Sequence, residues 1–307
     1  NMDKPVYCQK PLTHYVSESR EMKKVAAEKG LVTQMGIQVH SFYDYKLATL
    51  LIQSGIIGKV HTVHAWSPKN WGYDGPLLEG EDPVPDQLDW NLWLGTSKQR
   101  PYKDDMYHPG NWRKLMDYGC GTLGDMGVHI FDTPYNALNL DVPRTIKTEC
   151  RPTNGFGFPE KNTVTYEFPG TEYTGKSLKW VWYDGPGAPE MHEDLLLPGM
   201  EMKKDNTVKK TDGNSISLDA GVAGENELPE QGAMFVGTKG RLLLPHFMQL
   251  PKKIVRGKYV DISKEIAKVS EEHNLGEPVR NYGTEGPKHY HQFVDACLGK
   301  GETTAPF

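Results

Sequence analysis

The stretch GCGTLGDMGVHIFD, residues 119–132, places Asp125 four positions before His129. On a helix that spacing puts both side chains on one face. An imidazole titrating near neutral pH can pass a proton to or from a substrate hydroxyl, and a carboxylate beside it can orient it or tune its charge. On spacing alone such a pair is more often an ordinary surface pair. The Gly-rich entry and the apolar IFDTPYNAL that follows favour a face turned inward.

The same stretch spells G-x-G-x-x-G through Gly119, Gly121 and Gly124. A dinucleotide turn needs an apolar strand directly before the first glycine and a helix opening at the last. The preceding NWRKLMDY carries two basic residues and an acid without alternation, and a pyrophosphate would meet Asp125 at the helix start. The motif therefore reads as a decoy. Its glycines let backbone pack close to a ligand, with Thr122 or Gly121 capping the helix.

Upstream, PYKDDMYHPGNWRKLMDYG gathers Tyr102, Tyr107, His108, Trp112, Arg113 and Asp117. Aromatic faces with polar neighbours suit a sugar, whose C–H face packs on rings while its hydroxyls find donors and acceptors. The alternative is a loop pinned to a sheet by its aromatics. Trp90 and Trp93 in LDWNLWLG read as packing residues. MHED at 191–194 and HYH at 289–291 raise the question of a metal. His289 and His291 are two apart and point apart on a helix. Metal sites need convergent ligands, so no metal is expected; His192 and Glu193 are the candidates if one binds.

These residues need elements to hold them. Residues 5–8 read as a short buried strand, followed by a helix capped at Thr13 that runs to about Glu28 and stops at Gly30. LVTQMGIQVHS reads as a second buried strand and residues 43–54 as a second helix, a succession that marks the tail of a parallel α/β sheet. After Gly58 the texture changes. KVHTVHAW alternates like a half-buried strand, residues 123–139 read as helical, and strands are expected at 144–150, 163–168, 177–183, 233–236 and 241–244. PGTEYTGK and VGTKGRLLL carry explicit turns between strands, so this second portion reads as a mostly antiparallel sheet. A closing helix is expected over 286–298.

At 307 residues the chain can form one large domain or two modest ones. A net charge of −5 gives no electrostatic reason to expect nucleic acid. No apolar run has membrane-spanning length. The four cysteines, Cys8, Cys120, Cys150 and Cys297, are widely spaced and form no CxxC pair, so reduced thiols and a cytoplasmic setting are expected.

Four segments resemble a known family in the right order. VYCQKPLTHYVSESREMKKVAAEKGLVTQMGIQVHS is similar to the end of the nucleotide domain in the glucose-fructose oxidoreductase / inositol dehydrogenase / MocA (Gfo/Idh/MocA) family, where E-K-P follows a strand. GCGTLGDMGVHIFD resembles that family's G-G-G-x-L-x-D-x-G-x-H segment, FVGTKGRLLL its late hairpin, and HYHQFVDACLGKGE its closing helix. The resemblance implies the remnant of a Rossmann-type parallel sheet over residues 1–41, a substrate domain with a large, mostly antiparallel open sheet over 42–285, and a helix and tail, 286–307, packing back on the nucleotide domain. It implies an NAD- or NADP-dependent oxidoreductase acting on a sugar or polyol, oligomeric through the outer face of its sheet.

Carried over position by position, Lys10 matches the lysine that contacts the nicotinamide ribose and the substrate, and Gln9 and Pro11 flank it beside the cofactor. Asp125 and His129 match the pair at the substrate, His129 as general acid/base. Gln38 and His40 fall where cofactor and substrate are lined, and Tyr107, His108, Trp112, Arg113 and Thr122 are assigned to the substrate. Gln9 replaces the family's usual glutamate. The family's glycine-rich turn and its ribose-reading acid lie on βα units that precede the E-K-P strand, so this sequence is expected to be a fragment, inactive alone. Two alternatives stand beside the oxidoreductase: a redox-neutral enzyme that cleaves glycosides through a keto-sugar using bound NAD, and a non-catalytic sheet domain that mediates assembly.

Overall fold

The computed structural model of the protein describes residues 3–200, 227–278 and 281–307. Strands β1 (Val6–Gln9) and β2 (Thr33–Gly36) pair in parallel, joined by helix α1 (Val16–Lys29). The helix stops where the sequence says it must. Gly30 adopts φ 57° and its N–H reaches the carbonyls of Ala26 and Ala27. Its start differs from expectation: Tyr15, not Thr13, stands at the cap, and Glu18 Oε2 accepts the N–H groups of His14 at 3.1 Å and Tyr15 at 2.9 Å.

β1 is not the buried strand its apolar letters predict. It pairs with β2 alone among the described residues, so Val6 and Gln9 are exposed and only Tyr7 and Cys8 are half-buried. The run LVTQMGIQVHS does not stay extended either. After Gly36 it closes into a 3-10 turn, Gln38–Ser41, and passes into α2 (Tyr43–Gln53).

The rest of the chain builds a second sheet. β3 (Val60–Ser67) is followed by α3 (Trp90–Leu94), then by a π-turn at Leu123–Gly127 that runs into α4 (Val128–Ile130) and α5 (Asp132–Ala137). Next come β4 (Thr145–Glu149), β5 (Asn162–Pro169), β6 (Thr174–Asp184), β7 (Gly232–Gly237), β8 (Gly240–Pro245), β9 (Lys252–Val255) and β10 (Lys258–Val260), closed by α6 (Ser263–Glu272) and α7 (Tyr282–Cys297). The eight strands lie in the order β10-β9-β8-β7-β3-β6-β5-β4, antiparallel except for the β3–β6 pair. The five expected strands all form. The charged run EMKKDNTVKK lies outside the described residues.

β3 is central rather than half-buried. It is flanked on both sides, and its two faces enter two different apolar clusters. Val63 and Ala65 join a core with Leu47, Leu51, Met126, Ile130, Trp180 and Trp182, under the helices. Trp66 joins Val181, Tyr183, Met234 and Leu243 on the outer face, where Ala188, Leu195 and Leu197 cover them. At the β4 edge every residue is exposed and Lys147 pairs with Glu149 along the strand, a charged pair that blunts edge-to-edge association.

α7 packs on the small sheet. Tyr7 stacks on Tyr290 with ring centres 4.9 Å apart, Gln34 Nε2 donates to the His289 carbonyl at 2.6 Å, and the His289 ring meets the Met35 carbonyl at 2.8 Å. The four cysteines form no disulfide. Among the described residues no helix is long and apolar enough to cross a membrane.

Candidate active site

The segment that carries Asp125 and His129 is anchored by what lies between and beside them. Met126 and Ile130 sink into the core, and Phe131 packs 4.4 Å from Trp180 and 5.2 Å from Trp182, ring centre to ring centre. Such aromatic contacts are each worth about 1 kcal/mol beyond their buried area. The regular helix expected over 123–139 is instead a π-turn followed by two short helices. Glycine sets the entry. A Cβ on Gly119 would lie 2.3 Å from the Arg113 carbonyl oxygen, and Gly121 holds φ +61° against the Phe158 ring. Both glycines face protein, and no strand precedes them, so the G-x-G-x-x-G is a packing device, as its context predicts.

Lys10 comes from the other sheet. It stands just past the C-terminal end of β1, the end at which ligands bind in parallel α/β sheets. Its Nζ donates to Asp125 Oδ1 at 3.0 Å and to the Asp125 carbonyl at 2.7 Å. Arg113 Nε donates to the same Oδ1 at 3.2 Å, with its guanidinium over the rings of Trp112 and Trp71. One carboxylate thus lies between two cations. Lys10 and Asp125 are half-buried, which leaves the pair open to a ligand.

His129 is the neutral member. Burial first, then the charge of Lys10, the neighbouring His246 and the charge of Lys69 hold its pKa well below the ordinary histidine value. The near-neutral titration expected from sequence does not occur, because the ring is desolvated among positive groups. Its Nδ1 is buried without a hydrogen-bond partner. His246, 5.8 Å away ring to ring, is pushed down to about 3 by burial and by Lys69 and Lys10, and its Nδ1 meets the Tyr45 hydroxyl. His246 and Lys69 have no signal in the local sequence; only the fold brings them here.

The other expected residues separate. Thr122 is a correction: it is buried, its hydroxyl donates to the Lys69 carbonyl at 3.1 Å and accepts from Trp71 N–H at 2.8 Å, so it fixes the 69–71 segment instead of meeting a ligand. Tyr107 is another. It is only 2% exposed and packs among Trp90, Trp93 and Tyr118, because an aromatic ring surrounded by rings buries more apolar surface than a loop position can. Trp90 and Trp93 stack at 5.0 Å as packing residues, as read from sequence. Trp112 is half-buried and His108 exposed, so both remain reachable.

Gln38 is buried and donates to the Tyr290 hydroxyl at 2.8 Å. His40 pairs with Asp132, 2.9 Å from Nδ1 to Oδ1, in a polar cavity of about 400 Å³ that also contains Lys46 and Glu285. Burial disfavours its charged form, but the hydrogen bond and charge of Asp132 outweigh that and raise its pKa. Gln9 is exposed at the end of β1, in contact range of Gly36, where a Cβ would lie 2.3 Å from Gln9 Oε1. Glu193 is exposed, whereas His192 turns toward Asp194 and the buried His64.

A nicotinamide cofactor fits these residues at one end only. Gln9, Lys10 and Pro11 form the turn leaving β1, and an unpartnered imidazole nitrogen and a lysine converge nearby. The described residues contain no glycine turn between a strand and a helix that would cradle its phosphates.

A family model described as the C-terminal α/β domain of the Gfo/Idh/MocA oxidoreductase family matches residues 45–167. Among solved structures, the chain is similar to an oxidoreductase from Sinorhizobium meliloti, at 16% identity over 96% of this chain and 62% of that one, with a TM-score of 0.52. An oxidoreductase domain protein from Kribbella flavida is similar at 16% identity over 99% and 67% of the two chains, TM-score 0.56. A protein of Desulfitobacterium hafniense named for dependence on NADPH is similar at 14% identity over 98% and 65%, TM-score 0.53. At these identities the likeness is one of fold, and the chain spans 62%, 67% and 65% of their lengths. No curated protein matches the sequence. The matched domain carries the Asp125–His129 segment, and the four sequence motifs fall in order along this fold: residues 45–167 match the C-terminal α/β domain of the Gfo/Idh/MocA oxidoreductase family, and the fold of the chain is like that of solved oxidoreductases.

Proposed function

We propose that the protein belongs to an NAD(P)-dependent oxidoreductase that acts on a hydroxyl of a sugar or polyol. The observation that supports this best is the meeting of Lys10, Asp125 and His129 from two sheets, with an imidazole that stays uncharged at neutral pH. An uncharged imidazole has a lone pair to offer, and because burial and nearby positive charge lower its pKa, it accepts a proton only together with charge forming on the reacting oxygen. His129 would take the hydroxyl proton as the carbon is oxidised, and Lys10 would hold the developing oxyanion, since an ammonium aimed at forming negative charge stabilises it. Asp125 would keep Lys10 and Arg113 in place, and Trp112 would offer a ring to the sugar's C–H face. The nicotinamide, when bound beside Gln9, Lys10 and Pro11, supplies the hydride acceptor.

The experiment is absorbance at the reduced-nicotinamide band, with the full-length protein that contains this chain given NAD or NADP and a panel of sugars and polyols. His129→Ala should lower turnover by about 10²–10⁴-fold, the usual contribution of a general base. Unchanged turnover in that variant would remove the role assigned to His129. Cleavage of a glycoside without accumulation of reduced cofactor would favour the redox-neutral alternative.

A further inference from the structure

On the face of the large sheet opposite the His129 segment, three ligand-type side chains converge. His64 projects from β3 on the same face as Trp66, and it is 1% exposed. The chain after β6 returns across this face and forms a short turn at Glu193–Leu195. That turn sets Asp194 Oδ2 3.2 Å from His64 Nε2 and 3.2 Å from His192 Nδ1. One ligand atom from each residue lies within 4.8 Å of the others.

Two features distinguish this from a chance cluster. His192 Nδ1 stands 3.2 Å from an Asp194 carboxylate oxygen, and its one lone pair, which takes the Asp194 backbone N–H at 3.1 Å, would pass to a cation seated between nitrogen and oxygen. His64, in turn, has its second nitrogen, Nδ1, 3.1 Å from the Tyr183 hydroxyl, which fixes the ring and leaves Nε2 aimed at the cluster. A histidine held through its far nitrogen by a polar partner is the usual arrangement of a metal-bound imidazole. Arg241 does not compete for the carboxylate, because its guanidinium is spent on the carbonyl oxygens of Asp194 and Leu196.

We propose that His64, His192 and Asp194 form a binding site for one divalent cation of borderline character, Zn²⁺ foremost, which clamps the 192–195 turn to the outer face of the sheet. Around a tetrahedral ion with ligand bonds of about 2.0–2.1 Å, neighbouring ligand atoms stand roughly 3.3 Å apart. Two edges of the cluster already have that length, and closing the third takes a small rotation of His192, whose side chain is 44% exposed. Two imidazoles and a carboxylate suit Zn²⁺ better than the oxygen-seeking Mg²⁺ or Ca²⁺. The exposed side of His192 and Asp194 leaves the fourth position to water. The site is separate from the Lys10–Asp125–His129 group and stands whether or not the oxidoreductase reading holds.

The test is calorimetric titration of the chelator-stripped protein with Zn²⁺, repeated with Co²⁺ to read its visible d–d absorption. The expected result is one saturable equivalent and Co²⁺ bands of four- or five-coordinate type. His192→Ala and the isosteric Asp194→Asn should each weaken binding by at least about 100-fold, and Tyr183→Phe by about 10–100-fold through the outer contact to His64. His129→Ala should bind as the unaltered protein does. Absence of saturable binding, or binding that Asp194→Asn leaves unchanged, overturns the proposal.

Discussion

The Lys10 ammonium and the Asp125 carboxylate, 115 positions apart in the chain, meet at 3.0 Å, and the same ammonium also takes the Asp125 backbone carbonyl at 2.7 Å. A side chain from the small parallel sheet therefore grips the backbone of the π-turn on the large one. The grip joins two bodies that share no strand, and it places a positive charge near His129.

That charge is measurable. Lys10 is the largest cause, after burial, of the lowered pKa of His129. Lys10→Met should raise the His129 pKa, read from the titration of its ring protons by NMR. No rise would mean that the ammonium does not act on the imidazole as its position implies.

His246 governs stability in acid. Its folded pKa of about 3 lies below the unfolded value near 6.5, so its contribution is complete above the unfolded pKa and is lost as pH falls toward the folded one. Between pH 6.5 and 5 this one group should remove about 2 kcal/mol of unfolding free energy. His246→Phe should unfold more easily at pH 7, having lost the Tyr45 bond, but with a flatter dependence on pH over that window. Urea unfolding at several pH values decides it.

Asp184 acts in the opposite direction. Burial raises its pKa to about 7, although the Trp182 indole donates to Oδ2 at 2.7 Å. A raised carboxyl pKa means that stability is full below the unfolded value and declines as pH rises through the folded one. From pH 5 to 7 the decline should be about 2 kcal/mol, and Asp184→Asn should abolish it. Equal slopes for the two proteins would show the carboxyl to be ionised throughout.

The aromatic loop separates packing from contact. Tyr107→Ala should cost about 3 kcal/mol of stability, as large-to-small changes in a core do. Trp112→Ala should cost far less and instead, under the proposed function, raise KM for a sugar or polyol substrate. Thermal unfolding beside steady-state kinetics separates the two; the reverse pattern would place Tyr107 at the ligand and Trp112 in the core.

Much of this was legible in the letters. Gly30 ends α1 because only a residue free to adopt positive φ closes that turn, and the strand runs of the large sheet announce themselves by apolar letters and Gly-centred turns. The Asp125–His129 spacing points to the segment but not to its contacts: Asp125 pairs with Lys10 and Arg113 rather than with His129, whose pKa is set by burial, Lys10, His246 and Lys69. What the letters hide is long-range. KVHTVHAW reads as half-buried because His64 is polar, yet Tyr183 and Asp194 satisfy it inside a second cluster. Nothing near His129 in sequence tells that Lys10, Lys69 and His246 will surround it and keep it uncharged. Thr122 and Tyr107 carry ligand-type side chains whose bonding capacity the fold consumes internally.

β6 is paired on both sides, by β3 and β5, and Trp180 to Tyr183 are covered on both faces. Amides so placed are the last to exchange with solvent, whereas those of β1, which among the described residues pairs with β2 alone, open early. His129 leans through Phe131 on the slowest part of the molecule, and Lys10 hangs from one of the quickest. Warming should therefore part Lys10 from Asp125 well before the large sheet melts.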